Sequence, residues 1–280
     1  RDAAALLGPN KTQAALDELW QGQCNCGYWH GVFGGLYLTD IRSAIYQHLV
    51  RAEAIADGAL PPTGLAAKLT DFDCDGRAEL LIEGPQMDVY IAPHDGGTIF
   101  EWDWKQRPFN VVDTLARRPE AYHSMLLTGK VRVVPPRDPK ATPDVPVDYD
   151  EQERRRDETA ASIHDLVQAK EPGLEKLLHY DPYRRALLRE HFLGPKTTWH
   201  DLVTMNYTDQ GDFAAAPFTQ RVEGTGGAAL VVELARDGTV RMGKDTLPVR
   251  LRKSIVPSSH HDMGTLLHPV ASREPCGNPA

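Results

Sequence analysis

Trp20, Tyr28 and Trp29 lie within one short stretch with Asn25 and His30, and Gln23 to Leu38 adds Cys24, Cys26 and glycines at 27, 31, 34 and 35. The aromatic side chains offer flat apolar faces, and the amide and imidazole offer hydrogen-bonding groups beside them. A ring with C–H faces and a hydroxyl rim, such as a sugar, needs that combination. The glycines let backbone pack closely or a helix begin tightly. The same residues also fit a plainer role, with Tyr28, Trp29 and Phe33 as core under a glycine-rich turn. Spacing alone leaves both readings open.

A second constellation is Asp71-Phe72-Asp73-Cys74-Asp75-Gly76-Arg77-Ala78-Glu79. The side chains of Asp71, Asp73, Asp75 and Glu79, with the carbonyl of Arg77, have the alternating spacing of a calcium loop. Calcium takes hard oxygen ligands from a flexible loop, and Gly76 permits the sharp turn. The loop is shorter than an EF-hand and shows no flanking helices. Bound calcium is therefore expected between strands, in a structural role. An acidic turn without metal has the same composition.

Other polar groups carry weaker signals. Cys24, Cys26, Cys74 and Cys276 fit neither a zinc ribbon nor a CxxC redox pair, which points to free thiols in a reducing, cytoplasmic compartment. A Cys24/Cys26 metal site lacks nearby partners other than His30. Glu190 and His191 could join Asp181 and Arg184 in a polar cluster. The plainer reading places Arg184, Arg185 and Arg189 on the solvated side of a helix that buries Leu187, Leu188 and Phe192. His123 reads as a hydrogen-bonded structural histidine, and His260, His261 and His268 as part of a frayed end.

The elements that must position these groups fall into two styles. A helix over 11–22 carries Leu16, Leu19 and Trp20 on one face. A second, over 40–57, repeats Ile41, Ala44, Ile45, His48, Leu49 and Ala52 at helical spacing. Thr39 or Asp40 is expected to cap it and Gly58 to end it. Pro61-Pro62-Thr63-Gly64 marks a boundary. Beyond it, Lys68–Phe72, Arg77–Glu83, Asp88–Ala92, Thr98–Trp104 and Leu247–Ile255 read as strands. Phe100, Trp102 and Trp104 are expected on one face of their strand, opposite Glu101 and Asp103. Asp237-Gly238 is expected to turn a hairpin between Ala228–Ala235 and Thr239–Met242. The proline-rich 135–147 reads as a loop, and 149–170 as a helix with Ala160, Ile163, Leu166 and Val167 as its stripe. The fold class is mixed: a short helical segment over 1–62, a mainly antiparallel β-sandwich over 65–256, and an irregular tail over 257–280.

Composition narrows the partners. With 31 basic and 39 acidic residues, the net charge is −8. That excess of acid disfavours nucleic acid and anionic membrane surfaces and suits a neutral ligand. No apolar run approaches the roughly 18 residues of a spanning helix. The chain opens at Arg1, as a processed product or a fragment would.

The block beginning at Gln23 resembles the last sequence block of glycoside hydrolase family 57, the α-amylases and 4-α-glucanotransferases. Further stretches resemble the family in order: Asp71 to Glu83, Asp113 to His123, Tyr180 to Ala186 with Glu190 to Leu193, and Gln210 to Phe213 with Pro217-Phe218. The resemblance implies the end of a helical middle domain followed by a sandwich of galactose-mutarotase type. It implies a retaining enzyme, with two carboxylates about 5 Å apart across the glycosidic bond. In the family those carboxylates sit in an N-terminal barrel, so no nucleophile or acid is assigned here. The resemblance makes Trp20, Asn25, Tyr28, Trp29 and His30 candidates for contacting an α-glucan or maltodextrin. Some members carry Asn-Asp where this chain has Asn25-Cys26, so position 26 offers no carboxylate. The expected function is the non-catalytic part of an α-glucan enzyme, partnered by its barrel. Homo-oligomers would form through open sheet edges. A stand-alone glucan-binding module and a calcium-stabilised structural sandwich are the competing readings.

Overall fold

The computed structural model describes residues 6–31, 34–59, 61, 63–129, 131–133, 168–169, 171–260, 264–265 and 270–275. The chain divides into two compact units: residues 1–116 with 182–280, and residues 117–181.

The larger unit opens with helix α1, Pro9–Gly22, whose proline stands at the start, where its missing N–H costs nothing. Helix α2, Thr39–Asp57, packs against it. Gly22 lies so near Leu49 that a Cβ there would fall 2.6 Å from the leucine Cδ2. His48 Nδ1 meets Glu18 Oε2 at 2.6 Å. The expected cap is absent: Leu38 precedes the helix, no side chain caps it, and Thr39 lies inside. Asp40 instead sits in the first turn, where its charge complements the exposed N–H groups. Gly58 follows the last turn, as expected.

Five antiparallel strands form a meander: β1 Ala66–Thr70, β2 Glu79–Glu83, β3 Met87–Ala92, β4 Thr98–Trp104 and β5 Phe109–Asn110. A second sheet contains β8 Thr219–Glu223, β9 Val231–Met242, β10 Asp245–Ile255 and β13 Val270–Pro275, in the order β13-β10-β9-β8. Both sheets bury apolar side chains in a common core. Leu80, Ile82, Val89 and Ile99 come from the first, Val232, Leu234, Leu251 and Ile255 from the second, and Phe213 and Phe218 from the connection. Short strands β11 Ser259–His260 and β12 Gly264–Thr265 pair with each other.

Four local expectations are corrected. Val231–Met242 runs straight through Asp237-Gly238, and the chain turns at Gly243-Lys244 instead, with Gly243 at φ 67°. Gly238 serves close packing: a Cβ there would stand 2.7 Å from Phe213 Cζ. Phe100 and Trp102 do not share a face. Tyr90 pairs with Glu101 and Ile91 with Ile99, leaving Phe100 in a bulge that reverses the alternation. Phe100 therefore packs with Leu81 and Tyr90, while Trp102 packs on the common core. Residues 184–192 form no helix. Leu187 bridges Ile99, Leu188 has φ 61°, and Arg189 is buried against Asp95. The tail is not irregular throughout, since β13 pairs with β10 from Val249 to Ser254.

The smaller unit holds helix α3, His123–Leu127, and the parallel pair β6 Arg132–Val133 and β7 Gln168–Ala169. Arg117 and Asp181 close it with a bidentate pair, one contact at 2.7 Å. His123 Nδ1 meets Tyr180 Oη at 3.1 Å, the structural role expected of it. Of the expected helix over 149–170, the described residues are 168 and 169, which form β7. Its remaining residues to 167, the loop over 135–147, His261, His268 and Cys276 lie outside the described residues. In the larger unit, helix α4, Trp199–Thr204, carries a reciprocal Thr198–Asp201 capping box. Among the described residues no helix is long and apolar enough to cross a membrane.

Candidate functional site

The aromatic block forms the link between α1 and α2. Trp20 leaves the last turn of α1 with 58% of its surface exposed, and Tyr28 is 55% exposed at the end of a 3₁₀ turn, Asn25–Tyr28. Asn25 is also exposed, while Trp29 and His30 are half-buried and meet edge to face at 4.8 Å. The link is held from behind. Tyr28 Oη donates to Gly22 O at 2.6 Å and the Leu36 N–H donates to Trp29 O at 2.8 Å. Gly27 fits against Ile45, and Gly35, at φ 52°, leaves no room for a side chain beside the Trp29 carbonyl. The glycines thus press the turn onto α2 while Trp20 and Tyr28 keep their faces in solvent. Cys24 and Cys26 are free and exposed, as is Cys74.

The acidic loop between β1 and β2 is organised by its own backbone. Asp71 accepts the N–H groups of Asp75 and Gly76, both at 3.1 Å, and Asp75 Oδ1 accepts that of Arg77 at 2.8 Å. Gly76 has φ 88° at the sharp bend. The carboxylates gather in two overlapping groups, Asp71 with Asp73 and Glu79, and Asp75 with Glu79 and His94. Glu79 is common to both and is 1% exposed, with Oε2 accepting the Phe72 N–H at 2.7 Å. Asp73, Asp75, Glu79 and His94 border a cavity of about 390 Å³ that also touches Phe100 and Arg184. Sequence reasoning missed His94. Its signal was a histidine opening the His94-Asp95-Gly96-Gly97 turn between two strong strands, but nothing local says that this turn folds over the loop.

The polar cluster anticipated around His191 is differently wired. His191 Nδ1 meets Asp209 Oδ2 at 2.8 Å and Nε2 meets Tyr183 Oη at 3.0 Å. Glu190 pairs with Lys253, and Asp181 with Arg117.

A buried carboxylate group lies between α2 and the outer face of the first sheet. Burial raises Glu53 to about 8, with Asp88 adding repulsion, and raises Asp103 to about 9, with Glu101 adding more. Lys105 answers them, with Nζ 2.6 Å from Asp57 and 2.8 Å from Asp88. Burial alone would lower this lysine, but the surrounding carboxylates outweigh it and raise it.

The family model described as α-amylase/4-α-glucanotransferase, C-terminal, matches residues 71–266, and the corresponding middle-domain model matches residues 2–56. The chain belongs to the α-amylase/4-α-glucanotransferase family. It is 38% identical over 192 residues to α-amylase 1 of Dictyoglomus thermophilum, covering 68% of this chain and 24% of that protein. It is 33% identical over 235 residues to the 4-α-glucanotransferase of Thermococcus litoralis, covering 84% of this chain and 30% of the relative. The crystal structure of that Thermococcus litoralis enzyme superposes with a TM-score of 0.66 at 28% identity, over 94% of this chain and 34% of the other. The chain thus spans a quarter to a third of these relatives. In family terms, the aromatic link falls in the middle-domain match and the acidic loop opens the C-terminal match. Arg42 and Ser43 of the former bind Asp113 of the latter at 2.9 and 2.6 Å.

Proposed function

We propose that this chain is the non-catalytic part of a retaining enzyme acting on α-glucans, an α-amylase or 4-α-glucanotransferase. Trp20, Asn25, Tyr28, Trp29 and His30 form one wall of the glucan cleft. The nucleophile and the acid/base come from a barrel N-terminal to residue 1, and the two-sheet body, of galactose-mutarotase-like type, supports it. The setting is cytoplasmic. The observation that carries this reading is the paired match to the family's middle and C-terminal domains in their order. The exposure of Trp20 and Tyr28 on a rigid link supports the cleft assignment.

Calcium belongs to the same reading, in the loop formed by Asp71, Asp73, Asp75, the Arg77 carbonyl and Glu79. The support is the chemistry of the donors and the buried Glu79 carboxylate turned toward them.

The test is to incubate the purified chain with maltoheptaose and follow released sugar. No release is expected, because the catalytic carboxylates lie elsewhere. Sustained release by the pure chain would overturn the proposal.

A further inference from the structure

His94 approaches the acidic loop from the β3–β4 turn, far from it in sequence. Both ring nitrogens face carboxylates: Nδ1 is 3.6 Å from Glu79 Oε1 and Nε2 is 4.0 Å from Asp75 Oδ2. Neither separation is a hydrogen bond. Glu79 Oε1 and His94 Nδ1 are both buried without a hydrogen-bond partner, and Glu79 is 1% exposed. A carboxylate oxygen sealed from water with nothing to bind is costly, so this pair calls for a third body between its members. A proton alone leaves the gap too wide. A metal ion closes it. Two ligands each about 2.1 Å from a tetrahedral ion lie roughly 3.4 Å apart.

We propose that Asp75, Glu79 and His94 hold a first-row divalent transition ion of the zinc class. It is bound through one imidazole nitrogen and two carboxylate oxygens. The donor set selects the ion: imidazole nitrogen suits zinc and its neighbours, whereas calcium takes oxygen alone. This site therefore differs from the oxygen-only calcium loop in taking His94, although the two share Asp75 and Glu79, and it does not depend on calcium being bound.

The turn that carries His94 is held rigidly enough to be a ligand platform. Asp95 forms a bidentate pair with Arg189 at 3.0 and 2.7 Å. Lys253 donates to Gly96 O at 2.6 Å and Gly97 O at 3.2 Å, and the Gly96 N–H donates to Ala216 O at 2.9 Å. On the loop side, Asp75 Oδ1 is engaged by the Arg77 N–H, which turns Oδ2 toward the ring. The neighbouring cavity of about 390 Å³ gives the ion an entry path and room for water as its remaining ligand.

The experiment titrates the full chain with Zn²⁺ and, separately, Ca²⁺ by calorimetry, in wild type, His94→Gln and Asp71→Asn. Co²⁺ spectra show whether thiolates contribute. Zn²⁺ should bind with one ion at the high-affinity site. His94→Gln should weaken it 10–100-fold or more, and Asp71→Asn should not. The cobalt complex should show nitrogen–oxygen d–d bands without sulfur charge transfer. Equal melting of wild type and His94→Gln in chelator checks the fold. Unchanged Zn²⁺ affinity in His94→Gln, or a thiolate spectrum lost only with the cysteines, overturns the proposal. Absence of Ca²⁺ binding sinks only the calcium loop.

Discussion

Trp20 and Tyr28 illustrate how little a residue's type says without its exposure. Trp29, one residue beyond Tyr28, is half-buried, while Tyr28 keeps 55% of its surface in solvent. The glycines behind them make that difference. Gly35 has φ 52°, and a Cβ there would collide with the Trp29 carbonyl and stand 2.7 Å from the His30 carbonyl carbon. Gly35→Ala should cost about 1–3 kcal/mol, read as a lowered urea midpoint at unchanged slope. A neutral result would mean that the link relaxes freely. In the acidic loop, calcium at a hundredfold excess over its Kd should add about 2.7 kcal/mol of stability. Asp73→Ala should abolish that gain, read as Tm with and without calcium. An equal gain in the variant would remove calcium from this loop. The acid residues were legible from their spacing, but His94 was not, because a tertiary approach has no local signature.

At the scale of elements, the packing of α2 on the first sheet is coupled to protons. Glu53 and Asp103 hold their protons to higher pH when folded than when unfolded, because burial disfavours their charge. The folded state therefore binds more protons between the ordinary carboxylate range and about pH 8–9. Stability contributed by these groups is present at low pH and is lost as pH rises through that window. Glu53→Gln, which leaves Asp57 and Asp88 to hold Lys105, should flatten the decline. The difference should be on the order of 1 kcal/mol near pH 8, measured as Tm against pH. Parallel curves for variant and wild type would show that Glu53 does not titrate in this window. The long hairpin teaches a second lesson. Asp-Gly favours a turn, yet Asp237 pairs with Arg250 across the strands at 2.6 and 2.7 Å and Gly238 admits the Phe213 ring. Gly238→Ala should cost about 1–3 kcal/mol through overpacking, whereas the same change in a free turn would cost less. Denaturant midpoints of the variant decide between the two roles.

In the larger unit as a whole, the two sheets are joined through Phe213, fully buried on the connection and touching Phe192 at 5.3 Å. Phe213→Ala should remove about 3–5 kcal/mol and lower Tm sharply without changing the antiparallel far-UV signature. A loss below about 1 kcal/mol would mean that the sheets close over the gap. The sequence by itself determined the helical start, most strands of the first sheet, the acidic loop and the aromatic block, because each rests on periodicity or spacing within a few residues. Only the tertiary structure decided where the hairpin turns, which face Phe100 takes, that residues 184–192 are not helical, and that His94 meets Glu79. Those outcomes depend on what lies opposite each residue across a sheet or core: a bulge forced by strand register, a ring that needs a glycine beneath it, and a turn pinned by Arg189 and Lys253. Local sequence carries no record of such partners, since they come from segments far along the chain.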